Sequence, residues 1–213
     1  MYPTATGAAA RAERSPIPMA HSPGSVTPLP RSPIFWGEIS PCEHALQVYG
    51  DDRMFMDALE GFIGAGLAAG EAAIVIATPA HIEGLDERLA ARGVDLAAAR
   101  HEQRYLAIPA ERILRDFMVD GWPDEQRFFQ VVTTLLDQAR RGGRGVRAFG
   151  EMVAILWAEG HAAATVRLEH LWNKLCERER FPLFCAYPRA GFTSDPTRSL
   201  REICATHSRV FYG

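Results

Sequence analysis

The side chains of this chain able to do chemistry stand mostly where short apolar runs end. Tyr49, Asp51 and Asp52 follow one run, and Thr78 and His81 follow a second. Arg147, Glu151 and Met152 lie on and after a third, and Tyr187 and Arg189 close a fourth. Glu169 and Asn173 are four residues apart, which puts them on one face of a helix. Phenol, carboxylate, imidazole and guanidinium groups in such a set suit the binding of a polar small molecule. They do not suit covalent catalysis, because no G-x-S-x-G, H-E-x-x-H or G-x-G-x-x-G pattern occurs. The expectation is a ligand-binding set with no catalytic residue, no metal and no cofactor.

Each candidate has a plainer reading. Arg147 and Glu151 form the best polar pair, but an ion pair of that kind, or an Arg147–Glu169 bridge from sheet to helix, is often structural. Asp51 and Asp52 suit the N-terminus of a helix, as cap and first-turn acid. His44 lies two residues after Cys42, and a Cys-x-His pair can bind metal. Two further ligands are not apparent in the sequence, so an ordinary core or edge histidine is expected. Cys185, inside an apolar run, reads as a small core residue. Trp122, Trp157 and Trp172 read as core or interface, with an apolar ligand pocket as the alternative.

The elements that must position these residues alternate between two hydrophobic periods. Apolar runs at 45–49, 72–77, 105–108, 146–149 and 183–187 predict five strands. The run Ala72-Ala73-Ile74-Val75-Ile76-Ala77 is continuously apolar, as in strands buried on both faces of a parallel sheet. Helical patterns cover 52–68, 78–92, 110–119, 124–141, 152–179 with a turn at Gly160, and 196–207. Strands alternating with helices imply an α/β fold of three layers: a mostly parallel central sheet of about five strands with helices on both faces. In such a sheet ligands bind outside the carboxyl ends of the strands. That rule selects Tyr49, Asp51, Asp52, Thr78, His81, Arg147, Glu151, Glu169, Asn173 and Tyr187 as candidates, and His44, at the start of the first strand, is a further one.

Composition sets the outer limits. The chain has 213 residues, 47% hydrophobic and 23% charged, with a net charge of -3. That is enough apolar material for one core, without the basic footprint of a nucleic-acid binder. Eight of the 14 prolines fall within the first 41 residues. Residues 1–40 therefore read as a Pro/Ser-rich tail, disordered over 1–34, with Ile34, Phe35 and Trp36 packing onto a domain that spans 41–213. The start lacks the apolar stretch of a secretory signal. The most apolar segment, 62–78, is broken by Gly64, Gly66, Gly70 and Glu71, so no membrane span is expected. Four cysteines without C-x-x-C spacing fit a reducing, cytoplasmic setting.

An ordered set of segments carries a resemblance. HALQVYGDD at 44–52, FIGAGLAAGEAAIVIATPAH at 62–81, RYLAI at 104–108, RAFGEM at 147–152, RLEHLWNKL at 167–175 and LFCAYP at 183–188 are similar, in order and spacing, to the MEDS (methanogen/methylotroph, DcmR sensory) domain family. The resemblance implies a RecA/KaiC-like shape and a non-catalytic sensory role. It also implies a small-molecule ligand and an output partner such as a histidine kinase or transcriptional regulator. Homo-oligomerisation is a further expectation, since KaiC-like folds assemble edge to edge. No kinase, PAS or DNA-binding segment is read in the chain, so the expectation is that the signal passes to a separate protein.

The KaiC-like layout also makes a prediction by contrast. Where a nucleotide-binding relative carries G-x-x-x-x-G-K-[ST], this chain reads Gly50-Asp51-Asp52-Arg53-Met54-Phe55-Met56. The second glycine, the lysine and the hydroxyl are missing, and two carboxylates stand where phosphates would lie. Like charges about 4 Å apart repel by roughly 1 kcal/mol in water and more in a dry cleft. A divergent nucleotide-binding protein, with Arg53 or Arg147 replacing the lysine, remains the alternative reading.

Overall fold

A computed structural model describes Trp36 and residues 39–192 and 196–212. The expectations for residues 1–34 and for Phe35 lie outside the described residues.

Six parallel strands form the central sheet: β1 (His44–Tyr49), β2 (Ala72–Ala77), β3 (Tyr105–Pro109), β6 (Val146–Gly150), β7 (Leu183–Pro188) and β8 (Arg209–Tyr212). Their order across the sheet is β3-β2-β6-β7-β1-β8. A two-stranded antiparallel ribbon, β4 (Met118–Val119) and β5 (Trp122–Pro123), lies apart from it. The helices are α1 (Asp52–Ala68), α2 (Pro79–Ala91), α3 (Leu96–His101), α4 (Ala110–Phe117), α5 (Glu125–Ala139), α6 (Met152–Ala158), α7 (Ala162–Glu179) and α8 (Pro196–Ala205).

The three-layer reading holds. Strands β1, β2 and β6 are buried along their whole length, which is why their sequences are nearly free of exposed polar positions. Side chains alternate across the sheet. Ala45 and Tyr49 join one apolar cluster with α1, α2 and α3, and Leu46 and Val48 join a second with α4 to α8. The turn expected at Gly160 separates α6 from α7, with φ at +83°, where a side chain would be strained.

Three expectations change. The sheet has six strands rather than five, because the short, half-exposed β8 pairs with β1 at the sheet edge. The helix expected over 110–119 stops at Phe117, and Met118–Val119 instead pairs with Trp122–Pro123 around Gly121. Helix α3 was not expected; Asp95 caps it by accepting from the Ala98 N–H at 2.9 Å. Trp36 is buried, as expected, against Phe62, Phe184 and Phe211. No helix among the described residues is long and apolar enough to cross a membrane.

Candidate functional site

At the carboxyl ends of β2 and β6, two loops converge. Thr78 caps α2 through its hydroxyl. Its backbone N–H donates to Glu151 Oε2 at 2.7 Å. His81, one turn into α2, meets Glu151 Oε1 through Nδ1, also at 2.7 Å. Glu151 itself is fixed by its N–H donating to the Ile76 carbonyl. Tyr49, at the end of β1, stacks on Phe55 with ring centroids 4.9 Å apart, and Phe55 presents its edge to His81 at the same distance. Thr78, His81, Glu151 and Tyr49 thus form one cluster around a buried carboxylate, at the sheet edge that the topology rule selects.

The electrostatics follow from the contacts. The hydrogen bond to Glu151 raises the His81 pKa above its ordinary 6.5, against the opposing effect of burial; the charges of Glu151 and Asp52 add to the rise. Burial, and then the charges of Glu151 and Asp52, raises the Tyr49 hydroxyl and keeps it neutral. Because the folded-state His81 pKa is raised, its stabilising contribution is fully present below pH 6.5 and is lost as the pH climbs through the folded value. The difference in urea stability between wild type and His81→Gln should therefore shrink as the pH is raised from about 6 to about 8. Parallel pH profiles for the two proteins would contradict this account.

Asp51 and Asp52 take their plainer role. Asp51 is the N-cap of α1 and accepts the Arg53 N–H at 2.6 Å, and Asp52 is the first-turn acid. Both side chains are exposed.

Arg147 does not join the edge. It sits near the start of β6, on the α1 face, and donates to Glu71 Oε2 at 2.6 Å and to the Phe62 carbonyl at 2.7 Å. The Arg147–Glu151 pair does not form because four residues of strand, about 13 Å, separate them. The Arg147–Glu169 bridge does not form because Glu169 lies on the opposite face of the sheet, in α7. Asn173 is half-buried and donates to Glu177 on its own helix, away from the edge.

Tyr187, Glu169 and His44 form a second, interior cluster. Alternation along β1 and β7 turns His44, Cys185 and Tyr187 toward the α7 and α8 layer. Glu169 lies on the buried stripe of α7 with Thr165, Leu168, Trp172 and Cys176. The Tyr187 hydroxyl donates to Glu169 Oε1. His44 Nε2 is 3.4 Å from Cys185 Sγ and 3.6 Å from Glu169 Oε2. His207, which follows α8, brings its Nε2 to 3.5 Å from the same oxygen. The His44 and His207 rings lie 3.9 Å apart. Burial lifts Glu169 to about 8, although the Tyr187 hydrogen bond pulls it down. Burial drops His207 to about 4 and, with the His207 charge, lowers His44 well below its usual range.

His44 and Cys185 are buried in the core, as expected. The metal-type side chains beside His44 are Glu169, Cys185 and His207, with Cys42 not among them. The sequence reading missed His207 because it sits in a polar turn without a periodic signal. Glu169, expected to point to the sheet edge with Asn173, is instead buried on the helical face of Thr165, Trp172 and Cys176, at i−4, i+3 and i+7.

Trp172 is fully buried, Trp157 is half-buried with its Nε1 donating to the Gly191 carbonyl, and Trp122 is exposed, so the three tryptophans do not line one pocket. A groove of about 340 Å³ does run along edge strand β3, between Tyr105, Ile108, Arg112 and Leu135. It contains none of the candidate residues.

The fold and site define an open, parallel α/β domain with a polar cluster at the carboxyl edge of its sheet. A family model for the MEthanogen/methylotroph, DcmR Sensory domain (MEDS) matches residues 43–208, and the chain belongs to that family. The family is one of sensory domains. No curated protein matches the chain.

Proposed function

We propose that this protein is a non-catalytic sensory module. It reads a small ligand, or a partner surface, at the carboxyl edge of the sheet and passes a conformational bias to a separate signalling protein such as a histidine kinase or transcriptional regulator. The observation that carries the reading is the His81–Glu151–Thr78 cluster at the ends of β2 and β6, in a member of a sensory family. A ligand donating to or accepting from His81 would compete with the Glu151 contact. It would thereby bias α2 against the β6–α6 turn, a two-state element of the kind that signalling needs.

The domain proper is proposed to be residues 41–213, with 1–40 a tail from which Trp36 reaches back. The four unpaired thiols suit a cytoplasmic setting. The nucleotide-binding alternative loses one surrogate cation, because Arg147 is committed to Glu71 and the Phe62 carbonyl on the α1 face.

Thermal-shift and calorimetric screening of the full chain against small polar and apolar metabolites tests the proposal, with pull-downs for partners. A hit should weaken at least tenfold (about 1.4 kcal/mol) in Glu151→Gln and in His81→Ala. A ligand or partner whose binding ignores both substitutions would move the site elsewhere. Micromolar Mg-ATP binding would instead support the nucleotide reading.

A further inference from the structure

We infer that His44, Glu169, Cys185 and His207 form a closed binding site for a divalent first-row cation of the zinc class, supplied by two imidazole nitrogens, one carboxylate oxygen and one thiolate.

The four donor atoms all lie within 4.8 Å of one another. For tetrahedral zinc, metal–ligand lengths of about 2.0–2.3 Å put neighbouring donors about 3.3–3.7 Å apart. The separations of 3.4 Å from His44 to Cys185, 3.6 Å from His44 to Glu169 and 3.5 Å from His207 to Glu169 fall in that range. No rearrangement of the backbone is needed to close these three edges around one ion.

The protein leaves two of the four inward-facing atoms unpartnered. Glu169 Oε2 and His207 Nε2 are buried without a hydrogen-bond partner, on side chains with no exposed area. A buried polar atom left unpaired costs about 1–3 kcal/mol. Here two such atoms point at each other and at a third ligand. A cation between them would satisfy both.

The outer atoms of His207 and Glu169, by contrast, are held, whereas His44 Nδ1 is buried without a hydrogen-bond partner. His207 Nδ1 lies 2.6 Å from the Ile203 carbonyl, which fixes the proton on Nδ1 and leaves the Nε2 lone pair facing inward. The Tyr187 hydroxyl occupies Glu169 Oε1 and leaves Oε2 free. The Asn173 side chain and the Thr206 backbone lie beside His44. Metal-binding imidazoles and carboxylates are usually oriented by partners of this kind.

Donor type sets the ion. Magnesium and calcium take oxygen ligands, so a set with two nitrogens and a sulfur selects against them. It suits zinc, or cobalt(II) as its spectroscopic substitute. Starting from a thiol and a carboxylic acid, binding releases two protons and leaves a neutral site: the ion's two positive charges balance one thiolate and one carboxylate. Neutrality matters at this depth, where an unbalanced charge is costly. Four protein ligands and no solvent access mark a structural or regulatory site rather than a catalytic one.

The site joins segments distant in sequence. His44 begins β1, Cys185 lies in β7, Glu169 lies in α7, and His207 lies between α8 and β8. The ion would therefore clip the α8–β8 segment to the core. This inference does not depend on the carboxyl-edge reading and can stand or fall without it.

The test uses the full-length chain, stripped with a chelator and titrated with cobalt(II) and then with zinc in competition with a chromogenic chelator. The expected result is one ion per chain. The cobalt form should show intense visible bands of tetrahedral geometry and a near-ultraviolet thiolate charge-transfer band. Cys185→Ser should lose the charge-transfer band. His207→Gln should weaken zinc binding by at least tenfold, and Tyr187→Phe by about tenfold through the loss of its hold on Glu169. Far-ultraviolet circular dichroism checks that each variant is folded. Failure of the wild-type chain to take up a stoichiometric ion overturns the inference whatever the variants do. So does a cobalt spectrum unchanged by both Cys185→Ser and His207→Gln.

Discussion

Arg147→Ala is expected to lower the free energy of unfolding by about 3–5 kcal/mol, read from urea unfolding of the full chain. Arg147 is 2% exposed, and its guanidinium pairs with Glu71 and donates to the Phe62 carbonyl. Its guanidinium also lies over the Phe62 ring, 5.1 Å from the centroid. Alanine removes the stem as well as the head, so it leaves both a cavity and an orphaned carbonyl. Arg147→Met keeps most of the stem and should cost only about 1–3 kcal/mol, the penalty of the unpaired acceptor. A partner substitution checks the packing. A Cβ at Gly66 would come within 2.2 Å of Arg147 Nε and 2.5 Å of its Cδ. The two hydrogen bonds prevent the arginine from swinging away, so Gly66→Ala should destabilise by about 1–3 kcal/mol. Combined with Arg147→Ala, the two costs should fall short of their sum, because the clash disappears with the side chain. An Arg147→Ala midpoint matching wild type would refute a structural role and return the residue to the ligand-binding candidates.

Trp36→Ala should destabilise by a similar amount, about 3–5 kcal/mol. Trp36 is 4% exposed, and its ring centroid lies 5.1 Å from that of Phe62, 5.2 Å from Phe184 and 5.7 Å from Phe211. It therefore bridges α1, β7 and the edge strand β8. Gly61 makes room for it: a Cβ there would lie 3.0 Å from Trp36 Cδ1. A chain begun at residue 41, which lacks the proline-rich segment 1–40 and Trp36 with it, should lose the same stability. If that shortened chain and Trp36→Ala both melt with wild type, Trp36 contributes nothing to the fold.

The elements were largely legible because each has a local cause. The continuous run at 72–77 could only be a strand buried on both sides, and the alternation of strands with helices dictated a parallel sheet between two helical layers. Asp51 was legible as a cap, since a carboxylate before a helical stripe satisfies first-turn amides. The missed strand β8 has only four residues, too few for a period to show, and its pairing partner lies more than 160 residues away at β1. The topology rule placed Thr78, His81, Glu151 and Tyr49 at the carboxyl edge, where the fold gathers them, because it depends only on where strands end. It failed for Arg147, Tyr187 and Glu169 because proximity to a strand end in sequence does not say which way, or to which face, a side chain reaches.

The sequence by itself determined the layered α/β fold, the family to which the chain belongs and the edge at which Thr78, His81 and Glu151 stand, since hydrophobic period and chain order are local properties. Only the tertiary structure decided which polar groups meet. Strand register and the parity of β1 against β7 bring His44, Cys185 and Tyr187 to one face, helix α7 lays Glu169 across them, and the turn after α8 returns His207 from the far end of the chain. No local pattern encodes that meeting, because it depends on distances of a few ångströms between segments that only the folded core brings together.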